Sequence, residues 1–174
     1  MAPQDATVPV RRRLRLTLEF DGTDFYGWQR QAHGERTVQA TLEAAFAALP
    51  GDHSAVLAAG RTDAGVHALA MVAHVDTTST IPEAKLRLAL NAHLPADVAA
   101  TALSAAAPDF EAQFDCLYRR YLYRMRVTRD DPRAMAIQRD RLLAVHWRPD
   151  IAAMQAATKH LLGTHDFASF ATQE

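Results

Sequence analysis

Leu14, Leu16, Leu18 and Phe20 alternate with Arg13, Arg15, Thr17 and Glu19, the period-two pattern of a half-buried strand. Asp21-Gly22 ends that strand, and a polar loop rich in glycine, glutamine and aromatic residues runs to about Arg36. Thr37 then serves as the cap of a helix whose apolar stripe is Val38, Leu42, Ala45, Phe46 and Leu49, and Pro50-Gly51 stops it. Residues 54–59 and Leu69–Val75 read as two short apolar strands with a loop between them at 60–68. Pro82 opens a second helix that buries Leu86, Leu90 and Leu94; Pro95 closes it, and Val98–Leu103 is a further strand. The order β-α-β-β-α-β predicts an α+β, ferredoxin-like or RRM-like sandwich: a mostly antiparallel sheet with helices on one face.

The same reading predicts a long strand over roughly Leu117–Val127. One face carries Leu117, Arg119, Tyr121, Tyr123, Met125 and Val127, and the other carries Arg120, Leu122, Arg124 and Arg126. Residues 128–148 read as an irregular excursion. A helix over 150–162 should bury Ile151, Met154, Leu161 and Leu162 and end at Gly163. The expected organisation is a flexible tail over 1–12, a ferredoxin-like domain over 13–127, and the start of a second domain over 128–174. The apolar segment Phe167–Phe170 normally leads into more structure, so the chain is expected to be cut at a domain boundary.

Composition sharpens this picture in two places. A lone Cys116 excludes an internal disulfide and a cysteine-based metal cluster. No apolar run reaches the roughly 18 residues of a membrane span, and the N-terminus lacks a signal-peptide pattern. A cytoplasmic protein without membrane attachment is the simplest expectation. The net charge of −1 hides an asymmetry. Residues 37–116 hold three basic and nine acidic residues, whereas 117–148 hold nine arginines against three aspartates. Such segregation fits a polyanionic partner, and equally a compositional preference for arginine over lysine, 17 to 2.

Chemistry concentrates in the loop Gly60-Arg61-Thr62-Asp63-Ala64-Gly65-Val66-His67-Ala68. Its glycines allow sharp turns and close approach of a ligand. Arg61 and Asp63, two residues apart at the mouth of two strands, form the combination that holds a carboxylate ionised and oriented for nucleophilic or general-base work. The alternative is a turn in which Asp63 caps backbone N–H groups.

That loop resembles the signature of the tRNA pseudouridine synthase A (TruA-type) family, whose motif Asp is catalytic. The resemblance extends to Phe20-Asp21-Gly22-Thr23-Asp24-Phe25-Tyr26-Gly27-Trp28-Gln29-Arg30-Gln31, to Thr37-Val38-Gln39 with Leu42-Glu43, and to Asn91-Ala92-His93-Leu94-Pro95. It continues through Arg119-Arg120-Tyr121-Leu122-Tyr123 and Leu161-Leu162-Gly163-Thr164-His165-Asp166-Phe167-Ala168-Ser169-Phe170, all in family order over about residues 13–171. It implies the pseudouridine synthase fold, and conversion of uridine to pseudouridine in the tRNA anticodon stem-loop, at nucleotides 38 to 40. It also implies a homodimer that grips tRNA and no cofactor or metal.

Carried over by residue, Asp63 starts cleavage of the glycosidic bond, Arg61 positions the RNA and the flipped nucleotide, and Tyr121 stacks on the target base. Trp28, Arg30, His67 and Arg120 join the expected substrate contacts. For several of these the residues alone leave a second reading open. Tyr121 shares a strand face with Tyr123 and Met125 and fits a core position as well. Trp28 and Tyr26 fit a hydrophobic anchor, and Arg120, Arg124 and Arg126 fit a solvated face. His67 and His74 lack metal-ligand spacing and read as structural or RNA-adjacent.

Three departures stand against the family pattern. Met71 replaces a common Gln, and Gln113 replaces an arginine between Phe110 and Phe114. The family's second half, with a basic partner for the catalytic Asp, is not in this sequence. The second expectation is therefore a truncated RNA-binding module of the same fold, with weak catalysis or none.

Overall fold

A computed structural model describes residues 10–128 and 135–170. The chain divides into two compact units, one ending at Tyr121 and one beginning at Leu122. In the first, β1 (Arg12–Phe20), α1 (Val38–Ala47), β2 (Leu57–Ala58), β3 (Ala68–Thr77), α2 (Glu83–His93) and β4 (Val98–Ala105) follow the expected order. The sheet runs β2-β3-β1-β4, with every neighbouring pair antiparallel. The α+β ferredoxin-like architecture is thus borne out.

The alternation in β1 does what its period dictates: Leu14, Leu16, Leu18 and Phe20 are all buried. They meet Val38, Leu42, Ala45 and Phe46 of α1, Leu86 and Leu90 of α2, and Ala73, Val75, Val98 and Ala100 of the flanking strands. Thr37 caps α1 as expected, its side chain accepting from the Ala40 N–H at 3.3 Å. Two irregularities sit at the same end of the central strand. The β1–β3 register shifts between Leu18 and Phe20, and the β1–β4 register shifts between Thr17 and Leu18. Such shifts bend a strand and turn its following residues away from the ladder. Here they precede the 21–28 loop.

The other sheet face carries a polar cluster. Arg13 makes a two-pronged ion pair with Asp76, at 2.7 and 2.8 Å, and its remaining nitrogen donates to Glu111 and to the Phe110 carbonyl, each at 2.8 Å. His74, buried beside them, accepts the Ala112 N–H at Nδ1, 3.1 Å away. The segment after β4 is thereby laid back across the sheet.

Four expectations change. The expected tail over 1–12 falls largely outside the described residues, and β1 already begins at Arg12. The strand expected over 117–127 is confined to β5 (Met125–Val127), which pairs in parallel with β6 (Leu143–Val145) in the second unit. Residues 117–124 have alternating side chains, yet no described strand offers them a ladder, so the two faces read from the sequence do not form. The division between units accordingly falls at Tyr121 and not at 127. In the second unit α3 (Ile151–Thr158), capped by Asp150, continues as a 3₁₀ turn over Lys159–Leu161. Its expected core residues Ile151, Met154, Leu161 and Leu162 are all exposed, because nothing among the described residues of that unit covers them.

Candidate active site

Ala59 leaves the sheet after a last bond from its N–H to the Val72 carbonyl, 2.9 Å being typical and 2.8 Å observed. The chain rejoins the sheet at Ala68. Between these points the 60–67 loop is bound to the 21–28 loop by two main-chain bonds and one main-chain to side-chain bond. Trp28 N–H donates to the Thr62 carbonyl at 2.9 Å, Gly65 N–H to the Phe25 carbonyl at 3.1 Å, and Gly22 N–H to Nδ1 of His67 at 3.1 Å. Two glycines let the strands of this pairing approach so closely. A Cβ on Gly22 would lie 2.1 Å from the Val66 carbonyl oxygen, and one on Gly27, at φ +84°, would lie 2.5 Å from that of Thr62. Trp28 sits beneath, 2% exposed and tilted against Phe20 at 6.3 Å between ring centroids.

On this fixed backbone Asp63 stands exposed. Its main-chain carbonyl accepts the Val66 N–H at 3.2 Å, but its carboxylate has no hydrogen bond or ion pair among the described residues. Arg61 is exposed and likewise unengaged, so the expected pairing of Arg61 with Asp63 is absent. The two side chains are separated by one residue in a loop without strand pairing, and both reach solvent. Orientation of Asp63 comes from the backbone beneath it and not from a neighbouring cation. An open cleft of about 460 Å³, lined by Thr23, Asp24, Phe25, Tyr26, Ala64 and Gly65, adjoins the loop. Arg36 closes one side of Phe25, its guanidinium 3.9 Å above the ring and clamped by Asp97 at 2.8 and 2.9 Å. The Asp97 carboxylate raises the Arg36 pKa above its ordinary value, chiefly through these bonds.

The remaining expected residues divide. His67 is held at the site: its Nδ1 lies 3.0 Å from Asp21 Oδ1 as well as facing Gly22 N–H. That nitrogen accepts from Gly22 when bare and donates to Asp21 when it carries a proton. Tyr121 is 77% exposed, which places it outside the core and leaves its ring available. Arg120 is exposed with no polar partner among the described residues. Trp28 is a correction, since an indole buried this completely has no face to offer a base and acts as the anchor of the 21–28 loop. Arg30 is turned toward α1, where it pairs with Glu43. Among the described residues no group of three or more His, Cys, Asp or Glu side chains could hold a metal ion. No helix there is long and apolar enough to cross a membrane.

Two contributors escape a reading of the motif alone. Gly22 and Gly27 appear in sequence only as punctuation after β1, yet they set how near the two loops come. Arg119, one residue of a longer block, reaches back to the foot of the loop and donates through Nε to the Ala59 carbonyl at 2.8 Å.

The described residues thus form a two-layer α+β fold that presents the Asp63 carboxylate on an open loop. A family model described as tRNA pseudouridine synthase matches residues 17–115, which span β1 through the segment after β4. Curated relatives named tRNA pseudouridine synthase A agree. The one from Thermus thermophilus is 48% identical over 163 residues, 94% of this chain and 63% of its own length. That from Zymomonas mobilis is 45% identical over 159 residues, 91% of this chain and 63% of the relative. That from Neisseria meningitidis is 41% identical over 164 residues, 94% of this chain and 61% of the relative. The chain belongs to the tRNA pseudouridine synthase family. It spans a little over three fifths of the length of these relatives.

Proposed function

We propose that this chain carries the catalytic core of a tRNA pseudouridine synthase that acts on uridines of the anticodon stem-loop, nucleotides 38 to 40, as a cytoplasmic homodimer. The observation that carries the reading is Asp63: an accessible carboxylate whose loop is tied to the 21–28 loop by two main-chain bonds and by Gly22 N–H on the His67 imidazole. A group that must act on a substrate atom benefits from such placement, because orientation is set before binding.

In the reaction the bond from uracil N1 to ribose C1′ breaks, the ring turns, and a bond from C5 to C1′ forms. N1 gains a proton and C5 loses one to solvent, so the change is an isomerisation with no net redox. Asp63 starts the cleavage. The target nucleotide must leave its stack to reach Asp63, and Tyr121 offers an exposed aromatic face on which the extruded base can rest. Arg61 and Arg120, exposed and unengaged, supply phosphate contacts. His67 orders the junction of the two loops.

Tritium release from tRNA labelled at uridine C5 tests this directly. Asp63→Asn should abolish release while leaving thermal unfolding unchanged, since the carboxylate makes no bond within the described structure. Equal release from both forms refutes the role of Asp63. Salt-dependent tRNA binding without release from either form would point to the RNA-binding module instead.

A further inference from the structure

The segment that bears Tyr121 is held at one side chain. Residues 117–121, at the end of the first unit, are all exposed, and none belongs to a helix or strand. Among the described residues, Arg119 makes the only hydrogen bonds that tie 117–121 to earlier parts of the unit beyond Cys116, at Ala59 and Gln113. Its Nε donates to the Ala59 carbonyl at 2.8 Å, Nη2 donates to the same oxygen, and Nη2 also reaches the Gln113 carbonyl at 3.3 Å. Ala59 is itself buried and bonded to Val72, so the acceptor is a fixed point of the sheet.

Gly60 completes the arrangement. A Cβ there would meet Arg119 Nε at 3.0 Å and Cδ at 3.4 Å. The guanidinium therefore lies across the bare face of Gly60, with Asp63 three residues along one chain and Tyr121 two residues along the other. Gly60 has no positive φ, so its lack of a side chain answers to Arg119 and not to backbone strain.

We propose that Arg119 is a positioning residue: its guanidinium, laid over Gly60 and bonded to the Ala59 carbonyl, sets the place of Tyr121 relative to Asp63. The inference rests on the roles given above to those two residues. Arg119 touches no reacting atom; it acts by holding one functional segment to the root of the other. A planar fork with several donors suits this better than an ammonium, because it can bond two carbonyls while lying flat.

The test uses the whole chain with Arg119→Gln, Gly60→Ala and the double variant, plus Arg119→Lys. Backbone ¹⁵N relaxation of residues 117–121 should change from rigid values, order parameters of about 0.85, to below roughly 0.6 in Arg119→Gln, and in the same direction by less in Gly60→Ala, whose Cβ crowds Arg119 Nε at 3.0 Å. Arg119→Lys should recover part of the order. In tritium release, each single variant should lower kcat by about 10- to 100-fold with KM changed less than about twofold. The double variant should be no worse than the poorer single, because both break one contact. Unchanged order in 117–121, or losses that multiply in the double variant, overturns the proposal. Absence of release from the unsubstituted chain refutes the catalytic reading of this chain alone, and relaxation then decides the clip by itself.

Discussion

Replacing Gly22 with alanine should displace the 60–67 loop as a body. The new Cβ would fall 2.1 Å from the Val66 carbonyl oxygen, 2.5 Å from its carbon and 3.0 Å from its nitrogen. All three are main-chain atoms, so no side chain can rotate out of the way. Ordinary carbon–oxygen contact needs a little over 3 Å, so the loops must part by about 1 Å. Gly22 has no positive φ, so the cost is steric and not conformational. Overpacking of this kind costs about 1–3 kcal/mol, which lowers Tm by roughly 5–15 °C in a unit of this size. Parting the loops also strains the bonds Gly22–His67 and Gly65–Phe25, both at 3.1 Å. A 1 Å error in the placement of a reacting group costs about 100-fold in turnover. Thermal unfolding, tritium release and amide chemical shifts of residues 62–67 provide the three readouts. Gly65→Ala is the control: at φ +77° with nothing within 4 Å, it should cost about 1 kcal/mol through backbone strain alone. If Gly22→Ala were no more harmful than Gly65→Ala, the close approach of the two loops would not be what places Asp63.

Two further predictions concern acid. The Arg13 guanidinium depresses the Asp76 pKa below its ordinary 3.8, so Asp76 adds stability that is complete above that value and lost as pH falls through the depressed one. Asp76→Asn should therefore cost about 1–3 kcal/mol at neutral pH and make urea unfolding less pH-dependent below about pH 4. Burial lowers the His74 pKa from 6.5, against the opposing pull of Glu111 and Asp76 and with the help of Arg13. The unfolded chain then binds a proton first, so stability is complete above 6.5 and declines as pH falls from there toward the lowered folded value. His74→Gln should flatten the stability profile between about pH 7 and 5; an unaltered slope in urea titrations would exclude His74 as its source.

The β-α-β-β-α-β frame was legible because each of its elements buries one face, and burial of one face writes a period into the chain. Leu14 to Phe20 and the Val38–Leu42–Phe46 stripe are plain cases. The same reasoning misleads at Leu117–Arg124. Alternation states which side chains would share a face, whereas a strand also needs a neighbour for its backbone bonds. The apolar positions of α3 mislead for the same reason, as their periodicity implies a cover that the described second unit does not contain. β6, three residues long and paired in parallel, is too short to carry a period at all. Trp28 was obscured differently. It stands in a polar-looking run, Gly27-Trp28-Gln29-Arg30, where no periodicity marks it as core.

For the site, residue types and spacing made Asp63 a candidate beside a plain turn, the family resemblance singled it out, and its orientation was assigned to Arg61. The structure transfers that task to partners about 40 residues earlier: Phe25 and Trp28 through main-chain bonds that leave no trace in side-chain chemistry, and Gly22 through its N–H on the His67 imidazole. Position and chemistry are therefore carried by different residues. Gly22 places the loop and should move stability and turnover together. Asp63, the reacting group of the proposed function, should move turnover alone, because its carboxylate makes no bond among the described residues. The unengaged carboxylate is compatible with a stable loop only because the backbone contacts are sufficient without it. On the proposed function, a site divided in this way sets its geometry through the backbone and leaves the Asp63 side chain free to spend its interactions on substrate.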